Sequence, residues 1–388
     1  MSYTLEKKVA NAHFPRAPGS TLVSSERLNV VYNKYKSTTT IPADAIRFNF
    51  VFAHGTGMNK AIWHFHITQL FEWQAKSNGK IYIDTIVSVD AVGHGDSGVL
   101  NDGKLGWISR WDEGARDLLE VIRQEQASTG DLTNDLKSRN ILVGHSMGGF
   151  SSLFAGFHEP NLVDSIVAVE PVLYANAKEI GKFAKRFAMI GSMLVDEFAS
   201  YKDYEDFFKV YSFYKNIDPR VMEDFIQDEL LVVADPVSDK KSFKTKTSKA
   251  AQIAAYTSGM PSLIAGMDEY QHINVPITHV AGKTAKWNAR ETNPFFRGAI
   301  KPEYLVGVYD VEGGEHLLHA EQPDVMVKIL QEHTTKRQVD YSKHLQEVPE
   351  FKFKGSKEKI SEAEVEGKLL QGRFLELHGY GYKLPPKL

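Results

Sequence analysis

The chain contains no cysteine. That excludes disulfides, thiolate metal sites and a thiol nucleophile, and it accords with a reducing compartment. Long apolar runs are missing too: no stretch is long enough to span a bilayer, and the opening "MSYTLEKKVANAHFPRAPG" lacks the apolar core of a secretion signal. An intracellular protein without a transmembrane segment is expected. Charge of one sign is scarce as well, since 46 Lys and Arg against 49 Asp and Glu leave a formal net charge of -3. Nothing in that balance draws the chain toward nucleic acid or an anionic membrane. No internal repeat is present.

What is present is an ordinary globular composition, 42% hydrophobic and 24% charged, spread over 388 residues. That is more chain than one simple core needs, so a large domain with an insertion, or two domains, is expected. "STLVSSERLNVVYNKYKS" alternates at strand spacing and reads as an antiparallel start to a sheet. "AIRFNFVFAHG", "IYIDTIVSVD", "ILVGH" and "VDSIVAVEP" read as further strands. Between them lie the helical segments "NKAIWHFHITQLFEWQ", "DEGARDLLEVIRQEQA" and "GGFSSLFAGFHEP". This alternation implies an α/β fold with a mostly parallel sheet and helices on both faces. It breaks between about 172 and 271, where only helix-prone, aromatic-rich segments such as "YKDYEDFFKVYSFYKN" are evident. Strand character resumes at "INVPITHVAG" and "EYLVGVYDVEGG", before the helix "QPDVMVKILQEH". The predicted organisation is a core in two parts, 1–171 and 272–334, around a helical lid insertion at 172–271. A solvated Lys- and Glu-rich extension follows at 335–388.

Chemistry is sought first in "ILVGHSMGGF", residues 141 to 150, where a buried apolar run ends in a hydroxyl flanked by glycines. Gly144, Ser146 and Gly148 have the spacing of a nucleophile elbow, a strained strand-to-helix turn that lifts the serine oxygen above the sheet. The triplet alone is common, so its surroundings carry the case. A serine needs a base, and the base an orienting carboxylate. His316 lies in the glycine-bearing loop "EGGEHLLHAEQ" after the last predicted strand. His319 is its competitor, read as a packing or capping residue at the start of the final helix.

The strand after the insertion runs into "VAGKTAKW", with Ala285 and Lys286 where an acid would be sought. One strand earlier, Glu170 ends the apolar run "SIVAVEP". A carboxylate there is costly unless paired, so Glu170 is the candidate acid, with Asp310, Glu312 and Glu315 as substitutes and a salt bridge or helix cap as the alternative use of Glu170. Oxyanion donors are sought in the Met147 amide and, from the small-residue loop "AHGTG", in that of Thr56 beside Gly55.

Other polar clusters promise less. "VDAVGHGDSG", residues 89 to 98, is a glycine-rich loop without dinucleotide spacing or a phosphate-loop lysine. His94 and Asp96 are read as holding that loop together. In "HFH", residues 64 to 66, the two histidines diverge by about 200° on a helix, which disfavours a metal site. The lysine-rich run at 239–249 is read as an exposed loop.

Together, "AHGTG", "DAVGHGDSG", "GHSMGG" and "GGEHLLHAEQP" resemble the α/β-hydrolase superfamily in the order nucleophile, acid, histidine. More narrowly, "FPRAPGSTL", "HGTGMNKAIW", "GHGDSG" followed by "DEGARDLL", and "GHSMGGF" resemble the fungal peroxisomal lipase-type serine hydrolases over about residues 14 to 330. The resemblance implies Ser146 as nucleophile, His316 as base, Glu170 as acid and oxyanion donors near Thr56 and Met147. The absence of an acid around Ala285 departs from the wider superfamily. No metal or organic cofactor is implied.

The C-terminal Pro386, Lys387 and Leu388 are similar to the Ser-Lys-Leu peroxisomal address, with proline in the first place, and imply an import receptor as partner. The expected activity is that of a serine carboxylic-ester hydrolase on apolar ester or lipid substrates. A thioesterase, an acyltransferase, a carbon-carbon bond hydrolase and a non-catalytic binding protein of the same fold are the alternatives.

Overall fold

The computed structural model describes residues 2–175, 180–234 and 241–347. The chain divides into two units, residues 1–333 and 334–388. Of the second, residues 334–347 are described, and they are helical. The C-terminal tripeptide and residues 239–240 of the lysine run lie outside the described residues.

Eight strands build the main sheet: β1 (Tyr3–Asn11), β2 (Asn29–Ser37), β3 (Arg47–Ala53), β4 (Ile83–Val89), β5 (Ser138–His145), β6 (Ser165–Val169), β10 (Ile277–Gly282) and β11 (Leu305–Val311). Their order is β1-β2-β4-β3-β5-β6-β10-β11. β2 runs antiparallel to both of its neighbours, and every other pairing is parallel. The antiparallel start read in the sequence is β2. β1, which precedes it, was not visible there, because only Ala10 of its nine residues is buried.

The central strands are buried on both faces, and alternation assigns their side chains to two separate cores. Phe50, Phe52, Ile141, Val143, Val167 and Val169 enter one, together with Ile67, Leu70 and Phe71 of α1 (His64–Lys76). Val51, Leu142, Ile166 and Ala168 enter the other, under α3 (Trp111–Thr129) and α4 (Met147–His158). Each such Val, Leu, Ile or Phe side chain contributes about 1.5–3 kcal/mol through burial. α3 carries Asp112 and Glu113 in its first turn, against the positive end of the helix dipole, and stops at Gly130, whose φ of 72° suits a left-handed cap. Residues 95–100 of the glycine-rich segment form a short helix, α2 (Gly95–Leu100), where sequence reading gave only a loop.

Between β6 and β10 the chain leaves the sheet. The excursion holds α5 (Ile180–Met193), α6 (Tyr201–Asp206), α7 (Pro219–Glu229) and α8 (Lys249–Glu269). It also holds three short strands that the sequence reading did not contain: β7 (Glu197–Phe198), β8 (Leu230–Ala234) and β9 (Lys241–Thr245), paired antiparallel in the order β7-β9-β8. Lys241–Thr245 is thus a paired strand, not the exposed loop expected of the lysine run. Its Phe243 packs beside the ring of Tyr201, and Lys244 pairs with Glu197. Several of the excursion's aromatics join the sheet's own core: Tyr204, Phe208, Tyr214 and Phe225 share a buried cluster with Phe50 and Ile67, and Phe208 touches the other three.

A buried ionic knot ties this excursion to the sheet. The fully buried Lys60 ammonium donates to Asp90 at 2.9 Å, Asp96 at 2.8 Å and Asp228 of α7 at 2.6 Å, and Lys7 and Lys246 also pair with Asp96. Burial opposes the ammonium's charge, but the facing carboxylates win and hold its pKa above the usual lysine value. Three carboxylates that converge as metal ligands do are therefore occupied by a lysine. Asp96 holds its loop as read from the sequence. His94 packs its ring 5.2 Å from that of His54. The two histidines of "HFH" diverge: His64 bonds the Tyr35 hydroxyl and His66 the His319 carbonyl. The remaining elements are α9 (Thr292–Ala299), α10 (Leu318–Glu321) and α11 (Pro323–Glu347).

Candidate active site

Five parallel strands deliver their following loops to one edge of the sheet, and every candidate residue sits in one of those loops. Thr56 follows β3, Ser146 β5, Glu170 β6, the 283–291 loop β10, and His316 β11. In an open α/β sheet this carboxyl edge is where reacting groups gather.

Ser146 occupies a turn with φ 54° and ψ -115°, between the last residue of β5 and the first of α4. A side chain disfavours that conformation, so the turn is strained and must be held from outside. Its own amide donates to the Val169 carbonyl at 3.0 Å, and its carbonyl accepts from the Phe150 amide at 3.1 Å. Neighbours must also be close. A Cβ on Gly144 would strike the Gly148 carbonyl, and one on Gly148 the carbonyls of Ala53 and His54. The two flanking glycines are thus demanded by backbone-on-backbone packing. Gly55 has a related task, because a Cβ there would sit 2.6 Å from the His145 ring and 3.2 Å from the Ser146 Cβ.

The serine, the histidine and the glutamate meet. Ser146 Oγ lies 3.1 Å from His316 Nε2, and His316 Nδ1 lies 3.2 Å from Glu170 Oε2. With a carboxylate accepting at Nδ1, the proton resides there and Nε2 is left to accept from the serine hydroxyl. Glu170 is 2% exposed and, like Ser146, has a positive φ, 43°. It is anchored by the Gly282 amide, which donates to Oε1 at 2.7 Å, and by the Asn288 side chain, which donates to Oε2 at 3.2 Å. Burial pushes its carboxyl up to about 7, with Glu315 and Asp310 adding to the rise, while the Gly282 and Asn288 donors restrain it. Of the other acids weighed from the sequence, Asp310 is clasped by Arg297 at 2.6 and 3.1 Å and Glu312 pairs with Lys283, while the carboxylate that bonds His316 Nδ1 is that of Glu170.

His319, in α10, is wholly buried. Its ring lies 4.0 Å from that of His145 and 4.7 Å from that of Trp63. Burial holds its pKa well below the ordinary histidine range. It is a packing histidine, as its position suggested. Thr56 and Met147 touch, the threonine hydroxyl lying 3.6 Å from the methionine sulfur. Their loops converge next to Ser146, and neither amide has a backbone acceptor among the described residues.

Four neighbours escaped the sequence reading. The end of β10 and the loop after it offer no acid at Ala285 or Lys286, yet they supply the Gly282 and Asn288 donors that hold Glu170. From the same loop, Trp287 lies nearly parallel to the His316 ring, 17° off plane at 5.1 Å. His145 donates from Nε2 to the His316 carbonyl at 2.8 Å, fixing the backbone of the histidine loop. A buried ring immediately before the serine was the one signal available for it.

The fold is shared with known proteins. The model of the Alpha/beta hydrolase family matches residues 50–329. A Peroxisomal membrane protein LPX1 of Saccharomyces cerevisiae is 29% identical over 345 residues, covering 84% of this chain and 86% of that protein. A Type I acyl-CoA thioesterase mpaH of Penicillium roqueforti is 26% identical over 178 residues, 45% of this chain and 38% of that protein. Among solved structures, the Saccharomyces cerevisiae peroxisomal alpha-beta-hydrolase Lpx1 superposes over 99% of both chains with a TM-score of 0.76 at 24% identity, a likeness of fold. The hydrogen-bonded serine and histidine thus sit on a sheet whose topology and family match agree: the chain belongs to the α/β-hydrolase family.

Proposed function

We propose that the chain is a serine carboxylic-ester hydrolase that acts on apolar acyl substrates through Ser146, His316 and Glu170. The observation that carries this reading is the continuous hydrogen-bonded path from the serine oxygen through both imidazole nitrogens to a buried carboxylate. Ser146 Oγ attacks the acyl carbonyl while its proton passes to His316 Nε2. Glu170 stabilises the resulting imidazolium, and the amides of Thr56 and Met147 receive the oxyanion. His316 then protonates the departing alkoxide, leaving an acyl-serine. Water, deprotonated by His316, attacks that ester, the acid leaves, and the proton returns to Ser146.

Apolar acyl preference is supported by the surface beside His316. Trp287, stacked on the imidazole, packs with Tyr256 of α8, and Tyr256 in turn packs with Phe187 and Leu194 of the excursion. Residues 172–271 would then act as the lid over the site, on a core of 1–171 and 272–334, with 335–388 as an extension. A thioester is a second acceptable substrate on specific grounds. The same chemistry cleaves it, and the Penicillium relatives carry the name acyl-CoA thioesterase.

The reading is tested by treating the purified protein with a fluorophosphonate and mapping the adduct by mass spectrometry. A single adduct on Ser146, with turnover of p-nitrophenyl esters rising from acetate to octanoate, is expected. An unlabelled serine would end the proposal. For location we propose the peroxisomal matrix: the Saccharomyces relative's name gives the peroxisome, and Pro386-Lys387-Leu388 is similar to a matrix address. A fluorescent protein followed by the last twelve residues or so should become punctate with a peroxisomal marker and turn diffuse when the final three are deleted. Diffuse signal from both would refute that location.

A further inference from the structure

The loop that carries Thr56 is gripped from the excursion as well as from the sheet. Residues 55–58 form a turn closed by the Met58 amide on the Gly55 carbonyl at 3.2 Å, with Gly57 at φ 78° in the third place, where such a turn favours glycine. Thr56, whose amide is the candidate oxyanion donor, is the second residue of that turn. On one side of it the core holds Gly55: its carbonyl also accepts from His54 Nδ1 at 2.8 Å, while His54 Nε2 accepts from the Ala91 amide at 3.1 Å. On the other side the hold comes from the excursion. Tyr214 Oη donates to the Gly57 carbonyl at 2.5 Å, and a Cβ on Gly57 would strike that hydroxyl and the side chain of Gln252 in α8.

The grip continues along the chain. Asn59 Nδ2 donates to the Phe225 carbonyl at 3.1 Å and to Glu229 at 2.8 Å, and the Lys60 ammonium donates to Asp228, so Gly57, Asn59 and Lys60 all bond to residues between 214 and 229. The contacts at 59 and 60 are made by side chains beyond the turn. The Tyr214 bond acts on the turn's own main chain. Its donor is well fixed: Tyr214 is 3% exposed, with its ring against those of Phe208, Phe213 and Phe225. Burial raises its pKa well above the usual tyrosine value, so the hydroxyl stays protonated and donates. Glycine at 57 has no side chain to restrict its backbone, and the tyrosine hydroxyl supplies that restraint.

An oxyanion donor is effective when its N–H already points to where the charge will develop. We propose that Tyr214 is a positioning residue for the reaction: by holding the Gly57 carbonyl it fixes the turn that aims the Thr56 amide, so a residue of the excursion governs the chemical step rather than the fit of the substrate. The proposal rests on the serine-hydrolase reading above, with Thr56 as oxyanion donor. Acylation and deacylation both pass through that oxyanion, so the effect belongs in kcat whichever half-reaction is slower.

The test is Tyr214→Phe, which deletes the hydroxyl and keeps the ring. For p-nitrophenyl octanoate kcat is expected to fall about tenfold to a hundredfold, less than the loss of a whole oxyanion donor, with KM changed by less than about twofold. Octyl trifluoromethyl ketone reports the oxyanion separately. Ser146 Oγ adds to its carbonyl carbon, His316 takes the serine proton and the ketone oxygen becomes the oxyanion, so inhibition should weaken by about the same factor as kcat. Tyr204→Phe is the matched control. Its hydroxyl belongs to the same aromatic cluster and donates to the Ile226 carbonyl, so its loss also strips a buried carbonyl of a donor but leaves the bonds of residues 55–60 in place. Comparable shifts in melting temperature are expected for the two variants, with kcat and ketone inhibition of Tyr204→Phe within about twofold of wild type. An unchanged kcat in Tyr214→Phe, a loss that appears in KM alone, or equal losses of kcat in both variants would overturn the proposal. Failure of the underlying reading would look different: p-nitrophenyl octanoate turnover would persist after Ser146→Ala, and the ketone would not inhibit the wild type.

Discussion

Ser146→Ala is expected to lower kcat/KM for a medium-chain p-nitrophenyl ester by on the order of 10⁵ to 10⁶, leaving only the catalysis that oxyanion donors and binding can supply. Folding should survive the change. Alanine meets the same backbone penalty at φ 54° that serine already meets, and the holding contacts of the turn, from the residue 146 amide to Val169 and from the Phe150 amide to the residue 146 carbonyl, are made by main chain. The hydroxyl itself reaches only His316 Nε2 in the described structure, so its loss removes the nucleophile and little packing. Steady-state assays of matched wild-type and variant preparations, with unfolding curves beside them, measure both halves of the expectation. Comparable rates in the two proteins would remove Ser146 from the chemistry.

How much of this was legible beforehand follows physical lines. The central strands were readable because burial on both faces forces continuous apolar runs such as "FNFVFA" and "SIVAV". The elbow was readable because close backbone approach admits only glycine at 144 and 148. Glu170 was readable because an acid ending a buried strand needs a reason. β1 was not, since an edge strand with one buried residue carries no apolar face to detect, and its register from Tyr3 with Ser37 to Asn11 with Asn29 is set only once β2 lies beside it. β8 and β9 escaped for a similar reason: the first exposes Val232 and Val233, the second is a short, mostly polar segment around Phe243, and neither pattern predicts a partner that only tertiary contact supplies. Asn288 and Trp287 lie in an irregular loop with no period at all. Their relation to Glu170 and His316 exists only once β6, β10 and β11 are side by side.

Glu170→Gln is the second change with a large expected effect, a loss of about 10⁴ in kcat, because it reverses one polarity in a fixed geometry. The Gly282 amide still requires an acceptor at the Oε1 position, so the glutamine oxygen must face it and the NH₂ must occupy the place of Oε2. There it confronts His316 Nδ1, which must now accept, shifting the imidazole proton to Nε2 and against the serine. The wrong tautomer cannot take the Ser146 proton.

The raised carboxyl pKa gives this position a further signature. Below about 7 the wild-type glutamate is protonated and cannot balance an imidazolium, so kcat/KM should climb as pH rises through 7, with the apparent value belonging to the histidine and glutamate together. Stability should move the opposite way. A folded-state pKa above the usual glutamate value means that the native protein holds the proton more tightly than the unfolded chain, so this group's contribution is present at acid pH and is lost as pH rises from about 4.5 through about 7. Glutamine, neutral throughout, escapes that loss. The variant should therefore unfold at a higher temperature than wild type at pH 8 and show much less advantage at pH 5, while being the poorer enzyme at both. An unchanged kcat with an unchanged pH profile would transfer the orienting role away from Glu170. A lower kcat accompanied by a lower melting temperature at pH 8 would instead mean that the carboxylate is held mainly for structure.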